Sequence, residues 1–239
     1  MTLLVVERLQ VMRDGHFGIL HDVSFCIGAG ERVAVIGPNG AGKTSLLHTL
    51  AGALTPGAGH VSLAGERVQT GRFNPAISLV FQRAEDQLFC PTLREDVAYG
   101  ARAIGERGVA LDQVVDSALE RTGLSGLDDR LTHQLSGGEQ RMACVAGALV
   151  MRPRLLLLDE PSAQLDARNR RRLIDCLHTL DQALLLASHD LELVRELCTR
   201  VLLIDAGRLC ADGPVDDILA DTALMHAHGQ EVPASLRAR

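Results

Sequence analysis

A glycine-rich octapeptide between an apolar run and a helical segment constrains this chain more than any other feature. Residues 37–44 read Gly-Pro-Asn-Gly-Ala-Gly-Lys-Thr, with Val33–Ile36 before them and the helical segment Ser45–Leu50 after them. The spacing matches G-x-x-x-x-G-K-[ST], the pattern of a phosphate-binding loop between a strand and a helix. Lys43 is the only lysine of the 239 residues, which argues against an ordinary glycine-rich turn.

Each residue type in this loop has a chemical purpose. Glycines let successive backbone N–H groups turn inward, and the following helix adds the positive end of its dipole. Lys43 supplies a cation for β- and γ-phosphates, and the Thr44 hydroxyl is suited to Mg²⁺. The residues expected to contact the nucleotide are Gly37, Pro38, Asn39, Gly40, Ala41, Gly42, Lys43, Thr44 and Ser45.

Composition indicates a globular protein rather than a disordered or membrane-spanning one. Hydrophobic residues make up 46% of the sequence and charged residues 23%. The longest apolar run, Ala143–Met151, has about half of the roughly 18 residues that a spanning helix needs. The amino terminus shows no cationic leader, so we expect a cytoplasmic protein. A net charge of −6 provides no broad basic field, so no nucleic-acid partner is expected.

The six cysteines predict neither a disulfide framework nor a zinc site. They lie far apart in the sequence, without a Cys-x-x-Cys pair or a cysteine–histidine spacing suited to zinc. We expect all six to be reduced and buried.

Short apolar runs alternate with helical patterns, which predicts an α/β fold with a largely parallel sheet. Residues 84–154 lack strong strand runs, contain the helical segments Leu111–Thr122 and Glu139–Val150, and are interpreted as an inserted helical subdomain. Asp166 is expected to cap a further helix. The predicted strands are Val33–Ile36, Ile77–Phe81, Leu155–Leu158, Ala183–Ala187 and Val201–Ile204.

Two carboxylates follow the apolar run Leu155–Leu158. Asp159 and Glu160 stand where a parallel strand ends, and ligands of open α/β sheets bind at that edge. Asp159 can bind Mg²⁺ directly or through water, and Glu160 can polarise an attacking water. The pattern alone is weak, because any buried strand must return to solvent, but the phosphate loop strengthens it.

The segment Leu135-Ser136-Gly137-Gly138-Glu139-Gln140 resembles the signature of ATP-binding cassette (ABC) ATPases. Other family elements follow in order: Gln82 resembles the Q-loop glutamine, residues 163–166 the D-loop, and His189 the switch histidine. The resemblance covers nearly the whole chain. It implies one nucleotide-binding domain over residues 1–239. An ABC-type P-loop core resembling RecA would occupy residues of about 1–83 and 155–239, and a helical subdomain would occupy about 84–154. The domain would also contain an N-terminal antiparallel β region.

The resemblance also implies a role for each site residue. Ser136, Gly137 and Gly138 would close over ATP held by the phosphate loop of a second subunit. Asp166 would link the two sites across that interface. The implied catalytic residues are Glu160, His189, Lys43 and Gln82. The implied Mg²⁺ ligands are Thr44, Gln82 and Asp159. The dimer would therefore be part of the ATPase mechanism. It would be formed by two identical chains or by two related ones.

Residues 80–92 and 95–100 are more specifically similar to the ATPase subunits of energy-coupling-factor importers, which take up cobalt, nickel, biotin and other vitamins. Ala143–Leu149 fits the same group. The resemblance implies an integral membrane scaffold, a membrane protein that captures the substrate, and a position at the cytoplasmic face of the membrane. Membrane contact would come through these protein partners only. The alternative is another class of ABC importer.

The stretch from Gln82 to Tyr99 is where such a subunit would receive its membrane partner. Leu88 and Phe89 would then be apolar anchors of a groove. The alternative is that both side chains belong to the core.

The sequence departs from the family pattern at the position expected to contact the adenine base. The family usually stacks an aromatic residue from the loop after the first strand on the base, but here the sequence reads Met12-Arg13-Asp14-Gly15. Met12, Arg13 or Phe17 could take that place.

Three other functions fit the residues less well. ABC-type ATPases that act on DNA carry a coiled coil or zinc modules inside the cassette, but only 53 residues separate Gln82 from Ser136. Translation factors have tandem cassettes, and this chain has one phosphate loop. A catalytically dead regulatory cassette is disfavoured by Lys43, Glu160 and His189.

Overall fold

The structure is a computed structural model that describes residues 1–13 and 17–237. Within this part of the chain the strands are β1 (Thr2–Arg13), β2 (Phe17–Gly28), β3 (Arg32–Ile36), β4 (Ala58–Leu63), β5 (Glu66–Arg67), β6 (Ile77–Val80), β7 (Leu155–Asp159), β8 (Ala183–Ala187), β9 (Arg200–Asp205) and β10 (Arg208–Pro214). The α-helices are α1 (Lys43–Leu50), α2 (Leu93–Ala103), α3 (Gly108–Arg121), α4 (Gly137–Leu149), α5 (Ala167–His178), α6 (Leu191–Leu197), α7 (Val215–Ala220), α8 (Thr222–Ala227) and α9 (Ala234–Arg237).

The chain divides into two compact units. The first unit combines residues 1–74 with the chain from residue 182 onward, and the second contains residues 75–181. The predicted helical subdomain, residues 84–154, lies wholly inside the second unit. None of the described helices is long and apolar enough to cross a membrane.

The first unit contains strands in two arrangements. An antiparallel sheet has the order β2-β1-β4-β5, as expected for the amino-terminal region. Strand β3 pairs in parallel with β8 on one side and β9 on the other, and β10 then pairs antiparallel with β9. Side chains of residues 33–36 and 183–187 are fully buried, because helices or sheet cover parallel strands on both faces.

The second unit packs helices α2, α3 and α4 beside a parallel pair of strands, β6 and β7. Helix α4 contacts β6, where the Ser78 hydroxyl donates to the Ala148 carbonyl over 3.1 Å. Helices α2 and α4 approach closely at Gly100, where an added Cβ would lie 3.0 Å from the Gly147 carbonyl oxygen. Any larger side chain at Gly100 would therefore push the two helices slightly apart.

The structure corrects two expectations. Helix α2 was not predicted, although Thr92 and Glu95 form a capping box at its start and this spacing is visible in the sequence. The expectation that all six cysteines are buried is wrong for Cys26 and Cys210, which are exposed, and for Cys90, which is half-buried. The two exposed thiols lie on strands β2 and β10, where alternate side chains of a sheet with one covered face point to solvent.

Candidate nucleotide-binding site

The phosphate loop joins β3 to α1, as the sequence predicts. Helix α1 begins at Lys43, and its N-cap is Gly42 in a left-handed conformation with φ 104°. No side chain caps this helix terminus. The first N–H groups of a helix need an acceptor, and an anion can provide one. The loop therefore presents a helix end suited to phosphate.

Two loop glycines are required by their surroundings. Gly37 has φ +143°, and an added Cβ would lie 1.8 Å from the Ile204 carbonyl oxygen at the end of β9. At Gly42 an added Cβ would lie 2.6 Å from the Leu20 side chain. Only glycine combines positive φ with so close an approach. The loop is thus held against β2 and β9 at its two ends.

The Lys43 ammonium group lies over the loop that it follows. Its Nζ donates to the Gly37 carbonyl over 2.7 Å and to the Pro38 carbonyl over 3.1 Å, and the residue is buried. These contacts place the cation among the loop residues expected to bind phosphate. Thr44, the next residue, is exposed and presents its hydroxyl at the first turn of α1.

His189 lies in the same unit as the phosphate loop. Strand β8 ends at Ala187, and the buried Ser188 continues it by donating its N–H to the Val35 carbonyl over 3.2 Å. Asp190 then caps α6 by accepting from the Leu193 N–H over 2.9 Å. Because β3 and β8 are parallel neighbours, His189 and the phosphate loop follow the same edge of the strands. His189 itself is exposed.

Gln82, Asp159 and Glu160 are grouped at one edge of the second unit. Strands β6 and β7 are parallel, and these three residues stand at or just beyond their carboxyl ends. Asp159 and Glu160 are buried, at 2% and 7% exposure, whereas Gln82 is exposed. Glu160 adopts φ 45°, the left-handed region, which costs a non-glycine residue about 1–3 kcal/mol. Strain of this kind is found at active sites, where surrounding structure enforces it.

The signature residues form the beginning of α4. Ser136 is the N-cap, and its Oγ accepts from the Glu139 N–H over 3.3 Å. The Glu139 carboxylate accepts in return from the Ser136 N–H over 2.7 Å and from its hydroxyl over 2.8 Å. These hydrogen bonds, first the one from the backbone, lower the pKa of Glu139 below its usual range. The capping box fixes the Gly137 and Gly138 amides at the positive end of the helix.

The structure brings the signature and the D-loop together. Asp166 caps α5, as predicted, and accepts from the Asn169 N–H over 2.7 Å. The Asn169 side chain also donates to Asp166 over 3.1 Å. It fills the space beside Gly138, where an added Cβ would lie 2.2 Å from the Asn169 Cγ. The role of Asn169 was not predicted, because only the fold brings it to Gly138.

The proposed Mg²⁺ ligands have the right chemistry for that ion. Thr44 offers a hydroxyl oxygen, Gln82 an amide oxygen and Asp159 a carboxylate, all of them hard donors. Among the described residues there is no group of three or more histidine, cysteine, aspartate or glutamate side chains that could hold a metal ion. Mg²⁺ commonly uses one or two protein oxygens together with substrate phosphates, so each of these three oxygen donors is of a type that suits the ion.

Of the three residues that could contact adenine, only Met12 has a side chain within the described part of the chain. Met12 is half exposed, and an added Cβ at Gly57 would lie 3.4 Å from its sulfur. Half of the residue is therefore accessible from outside the chain, while its sulfur lies beside Gly57. The side chains of Arg13 and Phe17, and residues 14–16, lie outside the described part.

Comparisons with known proteins identify a family and several relatives. The model of the family described as "ABC transporter" matches residues 20–163. A putative ABC transporter ATP-binding protein of Gloeobacter violaceus is 45% identical over 98% of this chain and 98% of its own length. The energy-coupling factor transporter ATP-binding protein EcfA of Methanothermobacter thermautotrophicus is 38% identical over 90% of this chain and 71% of its own length.

A solved structure shows the same fold. CbiO1 from Clostridium perfringens, described as part of the ABC transporter complex CbiONQ, aligns with a TM-score of 0.83 and 30% identity. The alignment covers 95% of this chain and 94% of CbiO1. It confirms the predicted fold class. This chain therefore belongs to the ABC transporter family, as an ATP-binding subunit that hydrolyses ATP.

Proposed function

We propose that this chain is the ATP-hydrolysing subunit of an energy-coupling-factor importer, driving uptake of a metal ion such as cobalt or nickel, or of a vitamin. The observation that carries this proposal is the likeness to EcfA and CbiO1 over nearly the whole chain. The subunit works at the cytoplasmic face of the membrane. Its partners are a second ATP-binding subunit, identical or related, an integral membrane scaffold and a membrane protein that captures the substrate.

The proposed reaction begins with the phosphates of ATP. The loop N–H groups and the Lys43 ammonium bind the β- and γ-phosphates, since phosphoryl transfer depends mainly on positioning and charge neutralisation. Thr44, Gln82 and Asp159 would hold Mg²⁺, which would supply neutralisation of the phosphate charge. Glu160 orients the attacking water and accepts its proton. His189 donates to the γ-phosphate as it develops negative charge.

The signature residues act on the nucleotide of the second subunit. Ser136 and the Gly137 and Gly138 amides approach the γ-phosphate from the positive end of α4. Asp166 senses the opposite site. Its hydrogen-bond partner Asn169 also lies against Gly138 at this end of α4. ATP thus holds two subunits together until hydrolysis.

The membrane partner docks beside Gln82. Phe89 is 66% exposed and Tyr99 is 55% exposed, and their rings meet edge to face with centroids 4.8 Å apart. Leu88 is half-buried. The Asp96 carboxylate accepts from the Phe89 N–H over 2.9 Å and from the Cys90 N–H over 2.8 Å, which fixes the backbone beneath the ring. A rigid exposed aromatic pair is a suitable anchor for an amphipathic helix.

Purification from native membranes tests the importer class. The tagged chain should retain a small membrane scaffold together with a separate substrate-capturing membrane protein, both identified by mass spectrometry. A pair of large permease subunits served by an extracytoplasmic binding protein would refute the energy-coupling-factor assignment. A Lys43→Ala variant serves as the control, because loss of nucleotide binding should leave partner identity unchanged.

A further inference from the structure

Arg141 is a buried arginine inside α4, at 4% exposure. Its guanidinium contacts the start of the glutamine loop, which we define as residues 81–87. Nη1 donates to the Phe81 carbonyl over 2.5 Å, and Nη2 donates to the Gln82 carbonyl. One side chain of the signature helix therefore holds the carbonyls of two consecutive peptide groups, one on each side of the Gln82 Cα.

A second attachment lies one helical turn further along α4. The Gln87 amide donates to the Cys144 carbonyl over 3.4 Å, and its oxygen accepts from the Phe81 N–H over 2.9 Å. The Cys144 thiol donates to the Ala84 carbonyl over 3.8 Å. Positions 141 and 144 lie on one face of a helix. The glutamine loop is therefore fastened to that face at both of its ends.

Burying Arg141 is costly. Burial lowers the pKa of its guanidinium, while the nearby Cys144 and Asp159 act in the opposite direction. Its Nε is buried and has no hydrogen-bond partner in the described part of the chain. A buried unpaired donor and a buried charge both work against folding, and apolar residues of similar volume often replace them without loss. General stabilisation is therefore a poor explanation for this arginine.

We propose that Arg141 is a positioning residue for the ATPase reaction, which latches the glutamine loop to the signature helix so that both move together. Docking of a membrane partner on residues 82–99 would then reach the Ser136–Gly138 end of α4 through one rigid body. The catalytic consequence rests on the role proposed above for Gln82. The latch itself rests only on contacts within the second unit.

Amide hydrogen exchange of the full chain tests the latch directly. Three amides of this region, at residues 86–88, donate to carbonyls of Arg83 and Ala84. In Arg141→Met these amides should exchange about tenfold faster, because local opening no longer breaks the arginine bonds. Arg107→Met is a matched control, since Arg107 also donates to two backbone carbonyls but is exposed and lies away from the loop. Unchanged exchange in Arg141→Met would overturn the latch.

Arg141→Lys keeps the test decisive if the methionine variant fails to fold. A single ammonium preserves the charge but loses the forked pair of donors. We expect the exchange rate of these amides in Arg141→Lys to lie between the rates of the wild type and Arg141→Met. Wild-type exchange in this variant would show that the paired bonds do not hold the loop.

A double-mutant cycle of ATP turnover separates positioning from structural support. Arg141→Met should lower kcat about tenfold with unchanged ATP affinity, and should have less than about a twofold effect in a Gln82→Ala background, because residues acting as a unit are not additive. Effects that multiply would overturn the positioning role. Wild-type turnover in Gln82→Ala alone would contradict the proposed role of Gln82, while the exchange measurement still decides the latch.

Discussion

Replacing Phe89 by alanine distinguishes a docking anchor from a core residue. The ring is 66% exposed, so only about a third of it is buried. Full burial of such a side chain contributes about 1.5–3 kcal/mol, so this third contributes about 0.5–1 kcal/mol. The edge-to-face contact with Tyr99 adds about 0.5–1.5 kcal/mol. We therefore expect Phe89→Ala to lower the free energy of unfolding by about 1–2.5 kcal/mol.

The same arithmetic gives the effect on docking. If the partner covers the remaining two thirds of the ring, it gains about 1–2 kcal/mol, which corresponds to a roughly 5- to 30-fold change in Kd. Binding of detergent-solubilised membrane partner to the immobilised chain measures this change. Urea denaturation of the same protein measures its unfolding free energy.

Two variants serve as controls for Phe89→Ala. Phe73 is 57% exposed but is not among the proposed docking residues 82–99, so Phe73→Ala should leave partner affinity unchanged. Leu93 is fully buried at the start of α2, and Leu93→Ala should cost about 2–5 kcal/mol of stability. If Phe89→Ala bound the partner as tightly as Phe73→Ala does, Phe89 would not be an anchor. If it lost as much stability as Leu93→Ala, the ring would belong to the core.

Four further outcomes are expected. Glu160→Gln should lower turnover by about 10²- to 10⁴-fold while ATP binding persists, and unchanged turnover in a steady-state assay would refute its role as base. Lys43→Ala should abolish phosphate binding in an equilibrium titration with labelled ATP. Since Met12 is the described candidate for the base, ATP and GTP affinities should agree within about tenfold, or roughly 1.4 kcal/mol; a larger difference would show that another residue reads adenine. Gly37→Ala should prevent ATP binding without affecting the second unit, because its Cβ would collide with the Ile204 carbonyl; normal binding would contradict the geometry.

Features set by local chemistry were predictable from the sequence. The phosphate loop needs only a strand, a run of glycines and a helix, all within residues 33–50. Asp166 caps α5 through a hydrogen bond to a residue three positions later. Helix α2 carries an equally local signal, because Thr92 and Glu95 form the capping box at its start, so this helix was also predictable from the sequence.

Features set by contacts between distant residues were not predictable. Arg141 reaches carbonyls 59 and 60 residues away, and nothing in its own neighbourhood indicates that direction. Similarly, the strain at Glu160 is a backbone angle that no sequence pattern specifies. Such features require the fold, because the partners meet only after the second unit has formed.

Because Gly138 contacts Asn169, the effect of a substitution at either position should depend on the residue at the other. A methyl group at residue 138 would overlap the asparagine amide group where it now lies, so the Asn169 side chain would have to move away from Asp166. The Asp166 cap on the residue 169 backbone N–H, however, needs no particular side chain at 169. Among second-site suppressors of Gly138→Ala, glycine at position 169 should therefore recur. The order of the two substitutions should also matter, because Gly138→Ala should be tolerated only after Asn169 has been replaced.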